Sequence, residues 1–339
     1  MKLQLLHSID APAVRKVWLE ATDEQPFFQY DYLTYIWKQV KYFSMYSPRL
    51  ACVCSDNGEP LMVLPLKWDG FKRCYKMLSD IQGCGLSDAI FNPRLTEEER
   101  QACTSYFYAN IHHKCILNRL PDNSILLKTA QETYVKRQSR ICVKIDFPQG
   151  AVSLLGGLSK SVRQNLRTAY NRLNRDGITY ELRVYKGEEL TDEIWKQMMS
   201  VYLHRLFTKH KTKARNNILY RYIHYWKYYH VKHDTKSLKS LPNSFHAVLY
   251  GNGRIMGFMS GFISYNGTIA VIPRLAIDSK YRFYSPGYVL LAETLRWLET
   301  NTQCRCLDLC RGDEQYKLDM GGTIYYTASV DFRMINIHK

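Results

Sequence analysis

No stretch of this 339-residue chain stays apolar for the roughly 18 to 20 residues that a membrane-spanning helix requires, which argues against a transmembrane segment. The opening residues, Met1-KLQLLHSIDAPAV, lack the apolar region and cleavage site of a signal peptide, so the expected location is cytoplasmic. Cysteine is plentiful at ten, but the Cys-x-x-Cys knuckle is missing. Cys304, Cys306 and Cys310 have strand-like spacing with no His or Cys pair to follow, so no metal is expected there. Cys52 with Cys54, and Cys304 with Cys306, alternate along apparent strands and each pair faces one side as reduced core thiols. Acidic residues are the scarce charge, 31 against 47 Lys and Arg, a net +16. Residues 136 to 240 hold 22 Lys and Arg against 8 Asp and Glu, so nearly all the excess lies in that third. An anionic partner is implied: CoA phosphates, a sugar nucleotide or lipid-linked pyrophosphate, anionic lipid at the inner membrane face, or RNA. The alternative is a solvated basic face that keeps the protein in solution.

What the chain does have is length for two domains and 46% hydrophobic residues for their cores. Ser159 as N-cap, the stripe Val162, Leu166, Ala169 and Leu173, and Gly177 as stop predict a helix over 158–177. Phe147-Pro-Gln-Gly150 breaks the pattern just before it, placing a domain boundary near residue 150. A second helix is expected from Thr191 to about Phe207 and a third from Asn217 to Val231, where Tyr220, Tyr222, Tyr225, Trp226, Tyr228 and Tyr229 either pack or stack on a base or sugar. From Ser244 the period becomes two: strands 244–250, 255–265 and 268–278 are joined by Asn252-Gly253 and Asn266-Gly267, the strongest short hairpin signals. Leu50 to Lys67 forms a similar hairpin around Asn57-Gly58 in the first half.

Residues 278 to 317 are the most informative. Ser285, Pro286 and Gly287 stand at the N-cap and first positions of an amphipathic helix, where backbone N–H groups and the helix dipole receive an anion and Gly287 lets it approach closely. A strand over 305–310 and the cluster Asp308-Leu-Cys-Arg-Gly-Asp-Glu-Gln-Tyr-Lys317 follow, with last strands in 323–334.

Arg282-Phe-Tyr-Ser-Pro-Gly287 resembles the Arg/Gln-x-x-Gly-x-Gly/Ala loop that holds the acyl-CoA pyrophosphate in the GNAT acyltransferase superfamily, with Ser285 in place of the first Gly. Together with Arg-Gly-Asp-Glu-x-Tyr-Lys downstream and the helix SKSVRQNLRTAYNR, it is similar to the CelD/BcsL-like acetyltransferase family, which is related to FemAB-type transferases. The resemblance implies an α/β fold of mixed sheets in which two GNAT-like units stand in tandem: a degenerate one at 1–150, without a cofactor loop, and a cofactor-binding one at 151–339. It implies an acyl-CoA co-substrate, most simply acetyl-CoA, held by Leu275, Ala276, Arg282, Tyr284, Ser285, Gly287 and Tyr288. The acceptor is then an anionic small molecule or glycan precursor of polysaccharide or envelope synthesis, and peripheral contact with the inner membrane face is open.

Acyl transfer needs a base for the acceptor, donors for the oxyanion and an acid for the thiolate. The resemblance implies that a backbone N–H on the strand before the phosphate turn answers the second need, which places Leu275 and Ala276 near the thioester carbonyl. His246, Asp308, Asp313 and Glu314 are candidates for the first and Tyr316 for the third, while Arg311, Lys317, Arg163 and Arg167 would meet an acidic acceptor. Two other readings stay open: a FemAB-type transferase fed by aminoacyl-tRNA, and a non-catalytic protein that binds acyl-CoA or nucleic acid.

Overall fold

The computed structural model describes residues 1–21, 25–41, 46–81, 85–131, 134–148, 153–209, 238–239 and 241–332. The whole expected helix-bearing stretch 217–231 with its tyrosines, the linker after Lys209, and Gln82 to Cys84 therefore lie outside the described residues.

Two compact units form, Met1–Cys142 joined by the residues from Ile324 onward, and Val143–Thr323. The first contains β1 (Lys2–Leu6), α1 (Pro12–Ala21), α2 (Tyr30–Lys41), β2 (Tyr46–Cys54), β3 (Pro60–Asp69), β4 (Cys74–Met77), β5 (Ile90–Phe91), α3 (Glu97–Asn110), β6 (Lys114–Pro121), α4 (Ile125–Thr129), the start of β7 (Val135–Asp146), and β13 (Thr323–Phe332). Its strands run in the order β1-β2-β3-β4-β6-β13-β7, with β5 beside β3. The first four are antiparallel, and β4 and β6 are parallel with α3 between them. Leu64, Leu66, Phe107, Leu117, Leu120 and Val330 are fully buried together beneath α3. The hairpin expected around Asn57-Gly58 forms, with Gly58 at φ +87 taking the conformation that a side chain resists.

The second unit holds the end of β7, α5 (Lys160–Arg175), β8 (Tyr180–Tyr185), α6 (Asp192–Lys209), β9 (Ser244–Gly251), β10 (Arg254–Ile263), β11 (Ile269–Ile277), α7 (Pro286–Asn301), β12 (Cys306–Arg311) and α8 (Gln315–Asp319). The strand order is β7-β12-β11-β10-β9-β8. Again four strands are antiparallel, and β11 and β12 are parallel with α7 between them. Helices α5 and α7 cover one face, where Val162, Leu166, Ala169 and Leu173 meet Phe245, Ala247, Leu291 and Leu295. Helix α6 covers the other through Trp195, Met198 and Met199 against Val248 and Phe258. Ser159 caps α5 by accepting the Val162 N–H at 3.3 Å, as its position predicts.

Each unit is thus an antiparallel four-strand run, a helical crossover and a parallel fifth strand. The strand at 323–334 was expected to close the second unit; β13 pairs antiparallel with β6 instead, through Thr327–Phe332 against Cys115–Pro121. Its apolar residues Val330 and Phe332 complete the core under α3. No helix among the described residues is long and apolar enough to cross a membrane.

Candidate active site

In the second unit β11 and β12 pair only at their starts, Ile269–Val271 against Cys306–Asp308. Pro273, which has no N–H for a ladder, follows at once, and β11 then runs on to Ile277 without β12 beside it. Past Val271 and Asp308 the ladder ends, so Arg274–Ile277 and Leu309–Arg311 are not paired with each other and bound a candidate cleft. The turn Ser279–Tyr284 leads from the far end of β11 into α7, so the helix start lies at the mouth of this cleft. Ligands of α/β sheets gather at such carboxyl ends of parallel strands.

Which main-chain groups face the cleft follows from the ladder on the other edge of β11. Asp278 N–H donates to Met256 O at 2.8 Å, which makes that pair a hydrogen-bonded one. In an antiparallel ladder such pairs alternate, so Ala276 is bonded to Phe258 while Leu275 and Ile277 point N–H and C=O to the open edge. Of the two residues expected to donate to an oxyanion, Leu275 therefore qualifies and Ala276 is consumed by the sheet. Arg205 Nη1 donates to the Leu275 carbonyl, and the Leu275 N–H lies on the same edge, outside the ladder with β10.

The expected amide cradle at the helix start is thinner than its residues suggest. Ser285 takes left-handed angles, φ 49 and ψ 50. Its N–H is spent on Arg282 O, those of Tyr288 and Val289 on Ser285 O, and Pro286 has none. Gly287 supplies the free N–H of this turn, and a Cβ built there would meet nothing within 4 Å. Side chains add charge around it. Arg172 Nη1 donates to Phe283 O at 2.9 Å, and the Arg172 and Arg175 guanidinium carbons sit 4.6 and 5.7 Å from the exposed Phe283 ring. Tyr284 donates to Asp176 at 3.0 Å, and Arg282 is exposed.

Beyond β12, Lys317 is only 4% exposed and donates to the carbonyls of Leu309, Arg311 and Gly312 at 3.3, 3.1 and 3.0 Å. It also ion-pairs with Glu314 at 2.9 Å. With every donor taken, Lys317 shapes the loop that carries Arg311, Asp313 and Glu314, in place of the substrate contact expected of it. Burial pushes the Glu314 carboxyl up, but Lys317 and, at 4.0 Å, Arg205 outweigh it and hold it below its ordinary value. Burial, aided by the charge of Glu314, raises the Tyr316 hydroxyl, which keeps its proton. Tyr288 lies 6.2 Å from the Tyr316 ring, donates to Asp319, and is pushed up to about 12 by burial and that bond. Asp308 is buried and accepts the Cys310 N–H at 2.7 Å, so it braces the end of β12. Asp313 is exposed, as is Arg311.

The cleft thus gathers Leu275, Ser285, Gly287, Tyr288, Glu314, Tyr316 and Lys317. His246 is not among them: it lies on β9, two strands from β11, roughly 10 Å at the usual strand spacing. It is fully buried against α6, bonded through Nδ1 to Ser260 Oγ at 3.0 Å. Burial, with Lys239 nearby, lowers it to about 4. An unfolded chain takes up the proton near pH 6.5 that the buried ring refuses, so stability present above pH 6.5 is lost as pH falls towards 4. We expect His246→Gln to remove about 2 kcal/mol of the loss between pH 7 and pH 5, at 1.36 kcal/mol per pH unit below 6.5. Urea titrations at the two pH values read this, and an unchanged difference refutes the buried neutral ring.

Arg163 and Arg167 also stay away, in the first half of α5, bonded to Gly156 O and Gln164. The arginines of this helix that reach the site are those of its last turn, Arg172 and Arg175. Arg205 went unnoticed in the sequence; its one signal was a guanidinium set among Val201, Tyr202, Leu203, Leu206 and Phe207.

Residues 160–318 match the Acetyltransferase (GNAT) domain family. They form a GNAT-type acetyltransferase domain. A tandem GNAT protein from the clavulanic acid biosynthesis pathway superposes at TM-score 0.50 and 11% identity, over 97% of this chain and 98% of its own. The GNAT units of this chain therefore stand in tandem, in a mixed α/β fold. A conserved protein of unknown function from Bacteroides thetaiotaomicron gives TM-score 0.58 at 13% identity, over 97% of this chain and 99% of that one. L-PGS from Bacillus licheniformis gives 0.53 at 13%, over 95% and 91%. No curated protein sequence matches the chain. In the GNAT domain the strand divergence, the edge-facing Leu275 N–H and the α7 start occupy one end of the sheet.

Proposed function

We propose that the protein transfers an acyl group, most simply acetyl, from acyl-CoA to an amino or hydroxyl group of a sugar, polysaccharide or envelope precursor. The N–H of Leu275 on the open edge of β11 carries this reading. A thioester carbonyl seated there gains negative charge as the acceptor attacks, and a fixed amide in a sheltered cleft stabilises that charge. Tyr316, which holds its proton, is placed to protonate the departing thiolate, whose ordinary pKa is only about 8.5. Glu314, ionised, is the carboxylate of the cleft able to draw a proton from the acceptor, and Asp313 beside it is the solvent-facing alternative. Gly287 N–H and the cations Arg172, Arg175 and Arg282 would hold phosphate at the mouth. The compartment proposed is the cytoplasm, where acyl-CoA and reduced thiols coexist, with the basic surface free to rest on anionic lipid.

A second reading has its own support. With Pro286 lacking an N–H, the turn offers a diphosphate one amide, while Phe283 between two arginines is a platform for a base. An aminoacyl-tRNA would then be the donor, as in FemAB-type enzymes. Melting curves distinguish the two. Free CoA is expected to raise Tm with concentration in the wild type. Gly287→Val, whose side chain has room in the protein but covers the N–H, keeps its own Tm and loses at least tenfold in CoA affinity. No CoA response, with tRNA binding that weakens steeply in salt, transfers the assignment to the second reading. CoA binding without release of thiol from acetyl-CoA in the presence of amino sugars would leave a binding protein.

A further inference from the structure

The β3–β4 hairpin of the first unit ends in the most exposed large apolar side chain among the described residues, Phe71, at 86%. The next, Phe283, is 52% exposed. Asp69 pairs with Cys74, so the turn is Gly70-Phe-Lys-Arg73, and all four of its residues are exposed. A lone apolar residue on a surface needs no explanation, but this one is held out by its surroundings. Asp69, itself only 3% exposed, accepts the Lys72 N–H at 2.9 Å and Lys76 Nζ at 2.7 Å, which ties the turn to the strands beneath it. One step further in, Trp68 and Tyr75 oppose each other in the ladder and pack edge to face with His113, with ring centroids 4.8 to 5.8 Å apart. Folding the turn back to bury Phe71 would strip a buried carboxylate of its partners, a costly change.

Charge is arranged around the same ring. Lys72 and Arg73 follow it directly and their side chains form no ion pair among the described residues, while Asp69, the acid that flanks the turn, is spent on Lys76. Arg73 holds φ +47, a left-handed value that glycine takes freely and arginine only at a cost. A cation is thus kept where the backbone favours its absence. An apolar ring at the tip of a fixed turn, with two cations beside it, is the makeup of a segment that enters the headgroup layer of an anionic bilayer.

From these facts we infer that the turn Gly70 to Arg73 is a membrane-docking tip: Phe71 enters the boundary between headgroups and acyl chains, and Lys72 and Arg73 bind lipid phosphate. A protein partner suits it less. A stable protein interface takes about 800 Å² from each side, more than a four-residue turn presents, whereas lipid headgroups close around a narrow insert. The inference gives the lipid contact proposed above a definite element and rests on that reading, but on no part of acyl transfer.

Co-sedimentation with vesicles tests it, using phosphatidylcholine alone and an equimolar mixture with phosphatidylglycerol. The full chain is expected to bind the anionic vesicles, to release them as salt rises, and to leave the neutral ones in solution. Phe71→Ala is expected to keep the wild-type Tm and to bind about tenfold more weakly, as for the loss of one buried aromatic ring. Replacing Lys72 and Arg73 by Gln should weaken binding about fivefold for each charge. Phe71→Trp reports depth, since the added indole emission is expected to be quenched by lipid brominated along its acyl chains. Undiminished binding by Phe71→Ala, or an added indole in Phe71→Trp that brominated lipid leaves unquenched, overturns the tip while the basic surface still accounts for the lipid contact. No binding to anionic vesicles overturns both. A wild-type dimer in the absence of lipid, separated by Phe71→Ala, would assign the turn to a second copy of this chain and overturn lipid docking.

Discussion

Gly261→Ala is expected to cost the GNAT domain more than about 4 kcal/mol, or to prevent its folding, a loss reserved for changes with a specific structural cause. Gly261 stands in the bulge of β10, between Ser260 and Phe262, where the register with β11 shifts. A Cβ there would overlap the Val271 carbonyl oxygen and lie 3.0 Å from the Val271 carbonyl carbon and 3.1 Å from Ile272 Cδ1. None of these has anywhere to go. Val271 is held by Phe262 on one edge and by Asp308 on the other, and Gly261 itself pairs with Phe245. Gly257, four residues earlier, provides the comparison: its nearest neighbour would be the Ile277 Cδ1 at 2.6 Å, the mobile end of a side chain. Gly257→Ala should therefore cost about 1 to 3 kcal/mol, the usual range for overpacking. Urea denaturation of the two variants checks both, and a Gly261→Ala protein within 1 kcal/mol of wild type would show that β10 and β11 are not locked together at this point.

Local signals were readable and long-range ones were not. Asn252-Gly253 turns with φ 49 and 73, as a two-residue hairpin demands, and Ser159 caps α5 where its residue type predicts. Each of these is decided within four or five residues. The partner of β13 is decided about 200 residues away, on β6, and nothing within 323–334 distinguishes one unmatched strand edge from another. The choice between Leu275 and Ala276 turns on ladder phase, which hydrophobic alternation does not report, because both residues of a strand pair look the same whether bonded or not. At the helix start the residue types pointed to an anion seat, and Gly287 does lie open; the loss of neighbouring amides came from Ser285 entering the left-handed region, a backbone state that serine does not advertise. Lys317 was expected to meet substrate because lysines are nearly always exposed, and only a fold shows which are enclosed.

Lys317→Met is expected to destabilise the GNAT domain by about 3 to 5 kcal/mol, as for removal of one partner from a buried ion pair. The substitution keeps most of the volume and deletes the charge and its donors. Three carbonyls, those of Leu309, Arg311 and Gly312, lose their common partner, and Glu314 loses its nearest cation. Each buried acceptor left without a donor costs about 1 to 3 kcal/mol, less where water enters, and Glu314 is only half-buried, so the lower end of the range is the firmer bound. The loop has little freedom to adapt. Gly312 holds φ +106, and a side chain there would run into the Glu314 carboxylate. Lys317→Ala adds a cavity to the same loss and should be worse by a further 1 kcal/mol or so. A second readout distinguishes bonding from packing. Because the ammonium fixes the loop bearing Glu314 while Tyr316 is packed beside it, Lys317→Met should lower acyl-transfer kcat well beyond any change in CoA affinity, whose determinants lie at Gly287 and the α5 arginines. Equal losses in both, or a Lys317→Met protein as stable as wild type, would mean that the loop is held by its apolar contacts and that the ammonium contributes nothing to the geometry of the cleft.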